Sequence, residues 1–179
     1  MLGDSISAGY GMNLEEGWVN LLKIQIRQES PQWKIRNASI SGETTGGALA
    51  RLPDLMNTIK PRIVIVELGG NDGLRGYPIE KMRSNLEKIA GLIQDGGATP
   101  VIMSMRIPPN YGGRYTQAFA DTYSQVAKLK KAPLIPFAFA FEQLLFEEDL
   151  MQEDGIHPSN KAQPILMEVV REHLSLLTQ

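Results

Sequence analysis

Three side chains near the two ends of the sequence are of the types that acyl transfer requires. Ser5 lies between glycines directly after the first apolar residues and ahead of a helical pattern, as expected at a strand-to-helix turn. Asp154 and His157 are three residues apart in a turn with Gly155 and Pro158, so the carboxylate can fold back onto one imidazole nitrogen. A nucleophile, a base and a carboxylate that orients the base would then be present. Taken singly, Ser5 is equally typical of a helix cap, and Asp154 and His157 of a solvated turn.

Two further residues, together with the backbone of Ser5, are candidates to stabilise an oxyanion. Gly42 has no side chain to shield its backbone N–H, and the amide of Asn71 can donate a hydrogen bond without carrying charge. The backbone N–H of Ser5, at the start of a helix, would be a third donor. Both Gly42 and Asn71 are also common turn residues, so each alone is compatible with a purely structural role.

Alternating strand and helix patterns must bring these residues together. Hydrophobic periodicity predicts helices over 15–28, 44–58, 78–94, 114–130, 139–149 and 159–177, and strands over 34–39, 62–68, 100–105 and 133–137, with a first strand before Gly3. Pro53 should kink or break the second helix. The run over 62–68 is almost continuously apolar and β-branched, which is typical of a strand buried on both faces of a parallel sheet.

This order predicts an α/β fold: a single domain over 1–179 with a doubly wound, flavodoxin-like sheet of five parallel strands flanked by helices. In such sheets ligands bind beyond the carboxyl ends of the strands, where Ser5, Gly42 and Asn71 all fall. Loop residues at the same edge, Leu74, Ile107, Pro108 and Tyr111, are candidates to bind substrate. Asp4 and Asp72 are predicted to belong to turns or hydrogen-bond networks.

Only Met1 and Leu2 precede Gly3, so we expect the natural chain to extend upstream, where a signal sequence could have been lost.

Composition excludes several classes of partner. The 179 residues include 42% hydrophobic and 21% charged residues with a net charge of −2, so the sequence has no electrostatic footprint for nucleic acid. No apolar run is long enough for stable membrane insertion. There is no cysteine and only two histidines, so we predict no metal site and no cofactor. A small molecule is the expected partner, and the protein itself is expected to be a monomer or weak oligomer.

Four short segments, in order along the chain, resemble the conserved blocks of the SGNH (GDSL-type) hydrolases. They are Gly3-Asp4-Ser5, Gly42, Gly69-Gly70-Asn71-Asp72 and Asp154-Gly155-Ile156-His157-Pro158. Within that family, the stretches 37–44, 50–53, 67–76 and 154–158 are similar to the bacterial thioesterase, lysophospholipase and arylesterase group.

The resemblance implies a Ser5–His157–Asp154 triad, and an oxyanion hole formed by the N–H groups of Ser5 and Gly42 and the side chain of Asn71. It also implies hydrolysis of aryl esters, acyl-CoA or lysophospholipid through an acyl-enzyme, and a periplasmic or secreted location. The same triad serves carbohydrate acetylesterases and acyltransferases, so those activities stay open. A flavodoxin-like binding module is a further alternative, disfavoured because neither a Gly-x-Gly-x-x-Gly fingerprint nor a P-loop is present. A Gly-x-Ser-x-Gly elbow is also absent, which argues against an α/β-hydrolase.

Overall fold

The computed structural model describes residues 1–138 and 149–177, and within them four parallel strands form one sheet. In chain order the elements are β1 (Leu2–Gly3), α1 (Ser5–Ala8), α2 (Trp18–Glu29), α3 (Thr45–Ile59), β2 (Ile63–Glu67), α4 (Gly70–Leu74), α5 (Ile79–Asp95), β3 (Thr99–Met103), α6 (Gly113–Lys130), β4 (Leu134–Ile135) and α7 (Gln163–Ser175), with 3-10 turns at Pro109–Tyr111 and Asn160–Ala162. The predicted α/β fold with a parallel sheet is confirmed. The predicted helix over 139–149 falls almost wholly outside the described residues.

The sheet has the order β1-β2-β3-β4, and its register places Gly3 opposite Glu67 and Val66 opposite Ile102. Two apolar layers cover its faces. One contains Leu52, Leu86 and Phe119, from α3, α5 and α6; the other contains Trp18, Leu22 and Leu166, from α2 and α7. Because all strands run in the same direction, the segments that follow them gather at one edge.

The prediction of a fifth strand over 34–39 is wrong for the described sheet. This segment does run beside β1, since the N–H of Ala38 donates to the carbonyl of Met1 at 2.9 Å and the N–H of Ile40 to that of Gly3 at 3.1 Å. These hydrogen bonds do not make a continuous ladder with β1, so the segment stays outside the four-stranded sheet.

Of the predicted kink or break at Pro53, the break does not occur, because α3 continues through this residue to Ile59. Proline in a helix interior removes one backbone hydrogen bond and costs about 3 kcal/mol. Burial of Ala48 and Leu52 against the core offsets that cost, since both side chains are almost fully buried. Thr44 caps the helix by accepting a hydrogen bond from the N–H of Gly47 at 3.2 Å.

Candidate active site

Ser5 is the first residue of α1, directly beyond the carboxyl end of β1. Asp4 caps this short helix, with its Oδ1 accepting a hydrogen bond from the N–H of Ile6 at 3.1 Å. Ser5 is half-buried and lines a cavity of about 670 Å³. The strand, the cap and the helix together therefore present the Ser5 hydroxyl to the cavity.

His157 connects Ser5 to Asp154. Its Nε2 lies 2.8 Å from Oγ of Ser5, and its Nδ1 lies 2.6 Å from Oδ2 of Asp154. A carboxylate accepts only, so Nδ1 carries the proton and Nε2 is left to accept the hydrogen of the serine hydroxyl. The ring of Tyr10 lies against the imidazole, with the ring centroids 4.6 Å apart. The three predicted side chains thus form one continuous hydrogen-bond chain.

The loop around Asp154 keeps its carboxylate charged. Desolvation works to raise the pKa of Asp154, but hydrogen bonds from the backbone and ring of His157 and from the N–H of Ile156 outweigh it and lower that pKa to about 2. Both backbone N–H groups donate to Oδ1 at 2.9 Å, which leaves Oδ2 for the imidazole. At neutral pH a fixed negative charge therefore faces His157.

Gly42 and Asn71, the predicted oxyanion donors, line the same cavity as Ser5. Gly42 has a φ of +78°, a conformation that favours glycine, and its carbonyl accepts a hydrogen bond from Nη2 of Arg75 at 3.2 Å. Asn71 lies in α4, beyond the carboxyl end of β2, and its Nδ2 donates to Oδ2 of Asp4 at 3.2 Å. The structure thus brings Ser5, Gly42 and Asn71 to one edge of the sheet, as the sequence predicts.

Two buried carboxyl groups lie behind Ser5. Burial raises the pKa of Asp4 to about 6, although hydrogen bonds from Ile6 and Asn71 oppose the rise. Burial, together with the charge of Asp4, raises the pKa of Glu67 well above its usual range. Oε2 of Glu67 accepts hydrogen bonds from Oγ of Ser7 at 2.7 Å and from the N–H of Asp4 at 3.2 Å. The pair ties the end of β2 to the turn that carries Ser5.

Asp72, the other predicted network residue, links two helices beneath the site. Its carboxylate accepts hydrogen bonds from the N–H of Thr45 at 2.8 Å and from the Thr45 hydroxyl at 2.6 Å. Asn85 donates to the same hydroxyl at 3.0 Å. This buried network fixes α4, and with it Asn71, against α3 and α5.

The cavity beside Ser5 has a volume of about 670 Å³ and largely apolar walls. Of the four predicted substrate-binding residues, Leu74, Ile107 and Pro108 line it. Tyr111, the fourth of these residues, does not line the cavity. Its hydroxyl turns away to donate to the carbonyl of Leu74 at 2.9 Å. Tyr111 therefore braces the wall from behind.

Sequence reasoning missed several lining residues. They include Ile6, Tyr10, Met105, Thr116, Ala120, Phe137 and Ile156. Most lie on α6 or beside a strand end, where periodicity alone assigns an apolar side chain to the core. In the described parts of the chain, no three His, Asp or Glu side chains converge as metal ligands, and no helix has the length and hydropathy of a membrane span.

Comparison with known proteins gives consistent matches along the chain. The sequence profile of the GDSL-like lipase/acylhydrolase family matches residues 1–164. An arylesterase from Vibrio mimicus is 44% identical over 174 residues, covering 97% of this chain and 86% of that protein. The thioesterase 1/protease 1/lysophospholipase L1 of Escherichia coli (strain K12) is 41% identical over 177 residues, covering 99% and 83%. The crystal structure of TesA superposes with a TM-score of 0.93 at 44% identity, covering 98% of this chain and 97% of that one.

Proposed function

Because the chain belongs to the GDSL-like lipase/acylhydrolase family, we propose that it is a serine hydrolase that cleaves carboxylic ester and thioester bonds. The observation that carries this proposal is the hydrogen-bond chain from Asp154 through His157 to Ser5, which ends in an apolar cavity. Serine, imidazole and carboxylate in this geometry form the arrangement that activates a hydroxyl for attack on a carbonyl carbon.

In the proposed reaction, Oγ of Ser5 attacks the carbonyl carbon while Nε2 of His157 accepts the hydroxyl proton. Asp154, held ionised by its own loop, stabilises the imidazolium that forms. The tetrahedral intermediate collapses as His157 returns the proton to the leaving alcohol or thiol, and an acyl-Ser5 ester remains. Water, deprotonated by His157, then attacks that ester, releasing the carboxylic acid and restoring Ser5.

Oxyanion stabilisation is assigned to the N–H groups of Ser5 and Gly42 and to the side chain of Asn71. Support comes from their common cavity and from the hydrogen bond of Asn71 to Asp4, which fixes its amide group. Donors that are held in place before reaction stabilise the developing negative charge without reorganising.

The cavity favours substrates with an apolar acyl part. Its wall carries Leu74, Ile107 and Phe137 next to Ser5, so an aliphatic chain would lose its contact with water there. The names of the relatives, arylesterase and thioesterase/lysophospholipase, fall within the same substrate class. We therefore propose aryl esters, acyl-CoA thioesters and lysophospholipids as substrates.

The test compares the purified protein with its Ser5→Ala variant on p-nitrophenyl acetate, butyrate, octanoate and palmitate, and on palmitoyl-CoA. We expect turnover by the wild type, none above background by S5A, and a covalent adduct on Ser5 after treatment with a phosphonate ester, detected by mass spectrometry. Activity confined to the acetate ester would instead favour the acetylesterase alternative. Turnover by S5A at the wild-type rate would overturn the proposed mechanism.

We further propose a location in the periplasm or outside the cell, which the family resemblance supports, and a monomer or weak oligomer as the working form. Cell fractionation of the native host, using an antibody against the protein, tests the location. Light scattering during gel filtration tests the oligomeric state. Recovery with cytoplasmic markers, or a stable large assembly, would contradict the corresponding part of the proposal.

A further inference from the structure

Asp4 immediately precedes the proposed nucleophile, is only 2% exposed, and has no part in the reaction as described so far. One oxygen of its carboxylate accepts a hydrogen bond from the N–H of Ile6, and the other accepts one from Nδ2 of Asn71. A single side chain thus contacts both the helix of the nucleophile and the side chain assigned to the oxyanion hole.

This contact determines which end of the Asn71 amide group faces the site. The C=O and NH₂ ends of an amide are nearly equal in size, so packing alone hardly distinguishes them. A carboxylate can only accept, so Asp4 selects the NH₂ end of Asn71. Of the two hydrogens on Nδ2, one is then bonded to Asp4 and the second remains available to the cavity that Asn71 lines.

Asp4 is itself held rigidly. Its backbone N–H donates to Oε2 of Glu67, a side chain with no exposed surface. Gly70 leaves room for the carboxylate, since a Cβ at that position would lie 3.2 Å from Oδ2 of Asp4 and 3.0 Å from Cε of Met105. The acceptor that faces Asn71 is therefore fixed by packing before any substrate arrives.

We propose that Asp4 is a positioning residue for ester hydrolysis, which keeps the NH₂ end of Asn71 turned toward the oxygen of the substrate carbonyl. The inference rests on the proposed function. It predicts that the effect of Asp4 on catalysis passes through Asn71, rather than through Ser5, His157 or the stability of the fold.

The test is a double-mutant cycle with D4N, N71A and D4N/N71A on p-nitrophenyl butyrate. It is run at pH 8, because burial raises the pKa of Asp4 only to about 6 and the carboxylate form dominates above it. D4N keeps an oxygen to cap Ile6, since asparagine is also a good helix cap. Its NH₂ group then faces Nδ2 of Asn71, so Asn71 must turn its carbonyl oxygen into the site.

We expect N71A to lower kcat by about 10²–10³ and D4N to lower it by a similar factor, with KM little changed. In the N71A background, adding D4N should have little further effect, because the group that it misorients is already absent. Asp4→Ser, which retains a capping oxygen but lacks the carboxylate, should behave as D4N does. Circular dichroism and thermal unfolding show which variants are folded. If D4N does not fold, Asp4→Ser takes its place in the double-mutant cycle.

Wild-type activity in folded D4N would overturn the inference. So would an equal loss of kcat from D4N with and without Asn71, because Asp4 would then act by another route. If either result appears while S5A is inactive and N71A is impaired, the inference fails and the proposed function stands. Full activity of S5A would overturn the assignment of the nucleophile, and full activity of N71A would overturn the assignment of Asn71 to the oxyanion hole. Either result would overturn the inference as well.

Discussion

The imidazole of His157 depends on a single carboxylate for both its orientation and its tautomer. Oδ1 of Asp154 accepts hydrogen bonds from the backbone N–H groups of Ile156 and His157, which fix the carboxylate. Oδ2 accepts from Nδ1 of the imidazole and so orients the ring. The low pKa of Asp154, about 2, means that it accepts at both oxygens across the neutral range. The proton on the ring is thereby confined to Nδ1, and Nε2 can serve as a base.

An Asp154→Asn variant tests this division directly. The backbone donors would hold the amide oxygen in place of Oδ1, so the NH₂ group would face Nδ1 and force the ring proton onto Nε2. We expect kcat to fall by roughly 10⁴, the loss seen when the orienting carboxylate of a serine protease is replaced by its amide. Steady-state kinetics at pH 8 on a p-nitrophenyl ester measure it. Near-wild-type kcat in a folded D154N would contradict the assigned tautomer.

At this scale the sequence predicted the principal contacts well, and for a physical reason. Ser5, Gly42 and Asn71 lie in turns that follow extended segments, and parallel strands bring such turns to one edge. Tyr111 and Tyr10 show the limit. Both are loop aromatics, but Tyr10 lies against His157 while Tyr111 points its hydroxyl at a carbonyl. No local pattern sets the direction of a loop side chain, so neither position could be predicted.

Among the elements, the loop over 154–158 is the one that must be located accurately, because it delivers His157 to a helix from the opposite end of the chain. Gln152 connects the two. Its Nε2 donates to the carbonyl of Tyr10, just after α1, at 2.9 Å and to that of Pro158 at 3.1 Å. Its backbone N–H donates to the carbonyl of His157 at 2.8 Å. This bracing role has no signature in the sequence.

Gln152→Ala should therefore weaken catalysis more than it weakens folding. Loss of two hydrogen bonds at a half-buried site costs about 1–3 kcal/mol of stability, whereas a small displacement of the base costs up to about 10² in kcat. Kinetics and thermal unfolding measure the two effects. Gln25→Ala is a matched control, because Gln25 makes an exposed hydrogen bond to Glu29 within α2. Equal kcat in the two variants would show that Gln152 does not position His157.

The bounds of strands and helices are predicted best where the local sequence pattern matches the burial that the element has in the folded protein. The strand β2, with its continuous β-branched run, and the amphipathic helix α5 both appear within one or two residues of the predicted bounds. The segment 34–39 and Pro53 differ because their outcome depends on partners elsewhere: the incomplete pairing with β1 in one case, and the packing of Leu52 in the other. Such long-range terms are not contained in local periodicity.

At the scale of the whole molecule, Glu67 affects how stability depends on pH. It lies at the end of β2, behind the site, and its carboxyl group has no exposed surface. Its pKa lies well above the usual range, chiefly because burial disfavours the charged form and also because Asp4 is close. In the unfolded chain the same carboxyl ionises near its ordinary value. Between those two pKa values the native state binds more protons than the unfolded state, so the free energy of unfolding falls as pH rises.

Glu67→Gln should remove this cost. The amide oxygen can still accept from Ser7 and from the N–H of Asp4, yet it has no proton to lose. We expect the stability of E67Q relative to the wild type to increase from pH 5 to pH 8, as measured by urea unfolding at both values. The comparison between pH values is internal to each variant, so it is insensitive to small packing changes. If the difference in the free energy of unfolding between E67Q and the wild type is the same at pH 5 and pH 8, the prediction is wrong.

The hydrogen bond between Ser5 and His157 joins residues that are 152 positions apart, one near each end of the chain. During synthesis the ribosome therefore makes the base 152 residues after the nucleophile. Any nascent or prematurely terminated chain that stops before His157 carries a serine with nothing to activate it. Hydrolysis through this triad therefore requires translation at least as far as His157, and a fragment that ends before it lacks the base.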